Sequence, residues 1–156
     1  MVDGLSFKMD VEKFQAFIFE MDDVLEIFLM EAAAEGFSLD YSVSSLDELE
    51  SYINYLDARY PEERFFSRCS RYLGEVFRKS MGGSWDLSLE NSRDINFKLP
   101  VVRRFSDFDI DFSPFSVVGN YLVRRQKGLL KNAVLANSEF SKFLISPIDG
   151  GEKAGK

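Results

Sequence analysis

Between Asp10 and Gly36, apolar residues recur at the three-and-four spacing of one helical face: Val11, Phe14, Ile18, Met21, Leu25, Phe28, Leu29 and Ala32. A pattern of that length commits the N-terminal part of the chain to a long helix, with Asp10 as its N-cap and Gly36 as its stop. Phe17, Phe19, Val24 and Ile27 widen the stripe beyond what one packing face needs. The helix is therefore expected either to lie centrally or to have part of its surface covered by a partner.

The remaining segments follow in a segregated order. Phe37 to Ser42 alternates like a short strand, and Ser45-x-x-Glu48 has the form of a capping box ahead of Leu46, Leu49, Tyr52, Ile53 and Leu56. Pro61 suits the first position of a third helix carrying Phe65, Phe66, Cys69, Tyr72, Leu73 and Val76, which Gly82-Gly83 stops. Ser84 to Leu89, Ile95 to Val102 and Phe105 to Phe112 then alternate as an antiparallel meander, with Pro100 marking a bulge or an edge. Ser113-Pro114 opens one or two terminal helices, divided at Gly128 and running on through Phe140 and Phe143. Helices and strands so grouped predict an α+β fold, with a small antiparallel sheet of three to four strands packed against several helices.

A chain of 156 residues with an apolar fraction of 46% and 16 Phe is sufficient for one well-filled core. One domain over residues 1–146 is expected, and the polar segment 147–156 is expected to be a disordered tail. No apolar run approaches the roughly 18 to 20 residues of a membrane span, and Met1 to Lys8 lacks a basic stretch followed by an apolar one. A cytoplasmic protein without membrane association is the expectation. Cys69, the single cysteine, falls near the apolar positions of its helix and reads as a buried thiol.

Histidine is absent. Its absence removes the usual general base near neutral pH, the Ser-His and Cys-His nucleophile pairs, and the commonest transition-metal ligand. Chemistry through carboxylates, Lys or Arg stays open, as in divalent-metal-dependent reactions. No phosphate-binding glycine loop occurs, since Gly82-Gly83-Ser84 ends a helix instead of opening one. No cofactor is expected.

Charge is concentrated. Residues 1–60 carry 14 acidic and 3 basic side chains, a balance of −11, whereas residues 61–156 carry 12 acidic and 16 basic, a balance of +4. The N-terminal half therefore repels nucleic acid and suits a protein partner with a basic surface. Asp22, Asp23 and Glu26 form one acidic cluster on the long helix. On a strand Asp107, Asp109 and Asp111 would share one face; they read as a solvated face, an acidic strip for a basic partner, or ligands of Mg²⁺ or Ca²⁺. Strand spacing of nearly 7 Å between alternate residues is wide for a single ion. No metal is assigned to either cluster. Glu75, on a mainly apolar helix, is expected to pair with Arg71 or Arg78. Arg124, Arg125, Lys127 and Lys131 read as a solvated basic face, and Trp85 as a packing residue or a partner contact.

The segments Tyr72-Leu73-Gly74-Glu75-Val76, Gly82-Gly83-Ser84-Trp85 and Leu99-Pro100-Val101-Val102 resemble a group of small bacterial domains, some of which look like immunity proteins made beside secreted antibacterial toxins, including type VI secretion effectors. The resemblance spans residues 37–118 and carries no catalytic residues. It implies a non-catalytic domain that binds and neutralises a cognate toxin, with Asp22, Asp23, Glu26, Asp107, Asp109 and Asp111 as candidate contacts. A housekeeping adaptor or structural subunit, and a carboxylate- and metal-dependent enzyme, are the alternatives.

Overall fold

A computed structural model describes residues 7–138. Among these residues it contains the helices α1 (Val11–Phe19), α2 (Met21–Ala34), α3 (Ser45–Asp57), α4 (Phe66–Met81), α5 (Pro114–Arg124) and α6 (Leu129–Leu135), and the strands β1 (Ser84–Leu87) and β2 (Pro100–Arg103). The fold is α+β. Its antiparallel sheet has two strands, with Ser84 opposite Arg103 and Leu87 opposite Pro100, in place of the expected three to four. Pro100 opens β2 at an edge, where its missing N–H removes no interior ladder bond.

The long N-terminal helix is divided at Glu20, whose φ of −90° and ψ of 1° depart from helical geometry. Asp10 caps α1 as expected, accepting the Lys13 N–H at 2.8 Å. Residues 37–42 form a turn and not a strand. Tyr41 has φ of +68°, its N–H donates to the Tyr72 hydroxyl at 2.8 Å, and Asp40 accepts the Ser42 N–H at 3.0 Å. Local turn chemistry outweighs the alternation there. Nor does the capping box form: Ser44 occupies the N-cap, and the Ser45 hydroxyl donates to the Ser42 carbonyl at 2.6 Å and meets Tyr72 Oη at 2.7 Å. Pro61 precedes a 3₁₀ turn, Glu62–Arg64, and α4 starts only at Phe66.

The third strand-like run, Phe105 to Phe112, contributes a single bridge, Val102 to Phe112, with both N–H···O distances at 2.8 Å. Phe105 and Phe112 are buried by a clamp, while Phe108 is exposed: Phe77 of α4 stacks on Phe112 at 4.1 Å and meets Phe105 edge-on at 4.8 Å. Packing against one helix thus replaces strand pairing as the means of burial.

α4 is the centre of the molecule and packs against α2, α3, α5 and β2. Phe66, Cys69, Tyr72, Leu73, Val76 and Phe77 are all buried, in one contiguous core running from Phe17 to Val134. Each buried Leu or Phe contributes about 1.5–3 kcal/mol relative to exposure. Burial also pushes the Cys69 thiol pKa up, so the thiol stays protonated. Ser113 caps α5 with Pro114 at its first turn, and Gly128 separates α5 from α6, as expected. Phe140, Phe143 and the tail 147–156 lie outside the described residues. Among the described residues no helix is long and apolar enough to cross a membrane.

Candidate functional site

α2 buries one face and leaves the other uncovered. Met21, Leu25, Phe28 and Ala32 enter the core, whereas Phe19 at the junction, Ile27 and Met30 are 87%, 55% and 65% exposed. Asp23, Ile27 and Met30 fall at i, i+4 and i+7 along one outer face of α2, and Phe19 ends α1 just before the break. Asp22, Asp23 and Glu26 are exposed beside it and make no ion pair or hydrogen bond among the described residues. The helix is peripheral, with an outer apolar strip flanked by carboxylates. Sequence periodicity shows the breadth of the stripe but overlooks Met30, which lies three residues beyond Ile27 on that face.

The break at Glu20 sets the angle of this strip, and it is held from α4. Arg71, only 6% exposed, donates to the Phe17 carbonyl at 2.7 Å and lies 4.1 Å from the centre of the Phe17 ring. A cation at the last turn of α1 satisfies a terminal carbonyl and complements the helix dipole. Burial lowers the Arg71 pKa, and the nearby Glu20 acts in the opposite direction.

The structure does not place Asp107, Asp109 and Asp111 on a strand. Arg104 has φ of +66°, the Phe108 N–H donates to Ser106 Oγ at 3.1 Å, and the Ile110 N–H turns back onto the Phe108 carbonyl at 2.9 Å. Asp107 and Asp109 are exposed on this loop. Asp111 instead receives a two-pronged bond from Arg103, at 3.1 and 2.8 Å. Arg103 also reaches Glu90 at 2.9 Å and Asp86 at 3.4 Å. Burial opposes the charge of Arg103, but its bonds to Asp111 and Glu90 outweigh that and raise its pKa. No three carboxylates converge as metal ligands among the described residues.

Glu75 pairs with Arg78 at 2.9 Å, as the sequence suggests, and accepts the indole N–H of Trp85 at 2.7 Å. Gly74 explains the closeness of that ring: a Cβ there would lie 2.1 Å from Trp85 Cζ2. The Gly74-Glu75 pair and Trp85 therefore form one packing unit, joining α4 to β1. Arg125 binds Asp57 and Asn54, and Lys131 binds Asp47 at 3.2 Å, so two members of the basic patch tie the last helices to α3.

Between α2, α3 and α4 lies a cleft of about 250 Å³ that sequence reading does not reveal. Phe28, Tyr52, Leu56 and Phe65 form its buried floor; Tyr55, Tyr60, Arg64, Arg68, Glu31 and Glu35 rise around it. Glu31 pairs with Arg68 at 2.8 Å, Glu35 accepts the Tyr55 hydroxyl at 2.6 Å, and Arg64 lies over the Tyr60 ring. These residues come from three separated stretches of chain, so no local motif announces them. No family model, curated protein or solved structure matches the chain.

Proposed function

We propose that this chain is a non-catalytic domain that binds a protein partner with a basic surface through the outer face of α2. We propose further that the partner is a cognate antibacterial toxin, neutralised in the cytoplasm of the producing cell. The observation that carries the docking reading is Ile27 and Met30 on the outer face of α2, with Phe19 at its entry, exposed to water beside Asp22, Asp23 and Glu26, whose carboxylates form no ion pair among the described residues. Apolar side chains of this size remain exposed at an energetic cost that a partner surface would remove. The carboxylates would accelerate encounter with a basic surface, and the apolar anchors would set its lifetime. Asp107 and Asp109 are free to add to the acidic field, whereas Asp111 is committed to Arg103. The toxin as partner rests on the resemblance at Tyr72–Val76, Gly82–Trp85 and Leu99–Val102. An enzyme built on Asp107, Asp109, Asp111 and Glu75 has less support, because Asp111 and Glu75 are each bound to arginine.

Affinity capture from the native organism, followed by mass spectrometry and binding kinetics on the captured protein, tests this reading. A basic protein encoded beside this chain should be retained. Replacing Asp22, Asp23 and Glu26 by Lys should slow its association and flatten the salt dependence, and Ser at Phe19, Ile27 and Met30 should speed its dissociation. Unchanged kinetics in both folded variants would remove α2 as the interface; a partner without toxicity would leave the adaptor alternative.

A further inference from the structure

The hydroxyl of Tyr52 is a buried polar group without a hydrogen-bond partner among the described residues. Tyr52 is 2% exposed, and among the described residues its oxygen forms no hydrogen bond, unlike the hydroxyls of Tyr55, Tyr72 and Tyr121. Tyr52 lines the cleft together with Glu31, Glu35 and Arg68, whose charges act on its phenol along with the buried Cys69. Buried hydroxyls without partners are uncommon, because desolvation costs more than most packing contacts return.

The rest of the cleft narrows what would supply the missing bond. Its volume of about 250 Å³ holds one large side chain and falls below the roughly 300 Å³ at which sites for drug-sized ligands begin. Its walls carry two carboxylates and two guanidinium groups, and Glu31 and Arg68 already neutralise each other. A charged occupant would gain little from a lining so balanced. Tyr55, Tyr60 and the floor offer aromatic faces and edges instead. The cleft also adjoins the outer strip of α2: Glu31 is one turn beyond Ile27, and Ala34, which lines the cleft, is one turn beyond Met30.

We infer that this cleft receives one neutral aromatic side chain, a tyrosine or tryptophan, from the protein that docks on α2, and that the polar atom of that side chain completes the hydrogen bond of Tyr52. The inference rests on the docking reading above, and it turns a flat acidic and apolar face into a face with a socket. Aromatic anchors seated in such sockets at the centre of an interface carry a disproportionate share of binding.

The test uses the full chain and defined probes. p-Cresol and 3-methylindole, analogues of the two side chains, should produce saturable NMR shifts at Ala34 and Leu56, and n-propylguanidinium should not. A lysine-rich peptide with a single central Tyr should bind at least about tenfold more tightly than the same peptide with Ser at that position. Tyr52→Phe should reduce this advantage several-fold, and in Ala34→Trp, whose new ring fills the cleft from an exposed helix position, the two peptides should bind alike. If the Ser peptide binds and the Tyr peptide binds no better, the socket is refuted while docking on α2 stands. If neither peptide binds, docking itself fails and takes the proposed occupant with it. Binding of p-cresol without any peptide advantage would make the cleft a small-molecule site and overturn the inference. Equal shifts from n-propylguanidinium, or p-cresol shifts that persist in Ala34→Trp, would also overturn it.

Discussion

The indole N–H of Trp85 donates to Oε2 of Glu75 at 2.7 Å, with the ring laid across the bare backbone of Gly74. The same ring meets Phe17 edge-on at 5.3 Å, so a shift away from Gly74 would break both this contact and the bond to Glu75. Two helical glycines should consequently respond in opposite ways to a methyl group. Gly74→Ala forces its Cβ into Trp85 and should destabilise the protein by about 1–3 kcal/mol or more. At Gly119 of α5 a Cβ would meet only Phe66 Cζ, at an ordinary 3.9 Å, and Gly119→Ala should stabilise by about 0.5–1 kcal/mol. Urea unfolding of the two variants checks both signs.

Glu50, only 4% exposed, accepts the Gly128 and Leu130 N–H groups at 2.9 and 3.0 Å and so holds the start of α6. Glu50→Gln keeps one accepting oxygen but turns an amide N–H₂ toward the other donor and should cost about 1–3 kcal/mol, with hydrogen exchange at the start of α6 accelerating before the global transition. Lys131→Ala, which removes the exposed pair with Asp47, should change stability by no more than about 1 kcal/mol. Thermal melts separate the buried contact from the exposed one.

Arg103 holds the Glu90 carboxyl below its usual pKa, chiefly by hydrogen bonding. A carboxyl lowered in the folded state favours folding above its unfolded pKa of about 4.3, and that contribution disappears as pH falls through the folded value. Arg103→Met should return Glu90 to the ordinary range in an NMR titration. The same change strands Asp111 without its cation, whereas Asp86 keeps Arg104 at 3.1 Å, and it should lower the unfolding midpoint at neutral pH.

Burial pushes the phenols of Tyr41 and Tyr52 up to about 12; Tyr72 adds to the effect at Tyr41 and Glu31 at Tyr52. Unfolded tyrosine ionises near 10, so the protonated phenols favour the folded state fully below that pH, and the contribution is lost as pH rises toward 12. Stability to urea should be level up to about pH 10 and decline above it. Tyr52→Phe should make that decline shallower, and phenolate absorbance should show one fewer late-titrating group.

Much of the fold is legible in the sequence because helical periodicity is local: α3 and the body of α4 stand where apolar spacing puts them, and the Gly82 stop and the Ser113-Pro114 start of α5 stand where their caps put them. The misread segments are those decided by distant groups. The break at Glu20 is held by Arg71, 54 residues beyond Phe17, and no spacing rule within residues 10–36 can show it. Phe105 to Phe112 alternates like a strand, but Phe105 and Phe112 close around Phe77 and its aspartates diverge. Asp22, Asp23 and Glu26 were identifiable as an acidic surface from charge alone. The cleft was not, since Glu31, Tyr52 and Arg64 become neighbours only after three helices have packed.

The hold that Arg71 keeps on Phe17 also decides in what form the outer face of α2 can exist. A peptide copying residues 10–36 would lack both that guanidinium and the wall of α4, and two short helices of 9 and 14 residues do not persist in water unaided. A decoy cut from this protein to compete for its partner would therefore need the whole domain, and loop grafting onto another scaffold would have to bring the α4 contact with it.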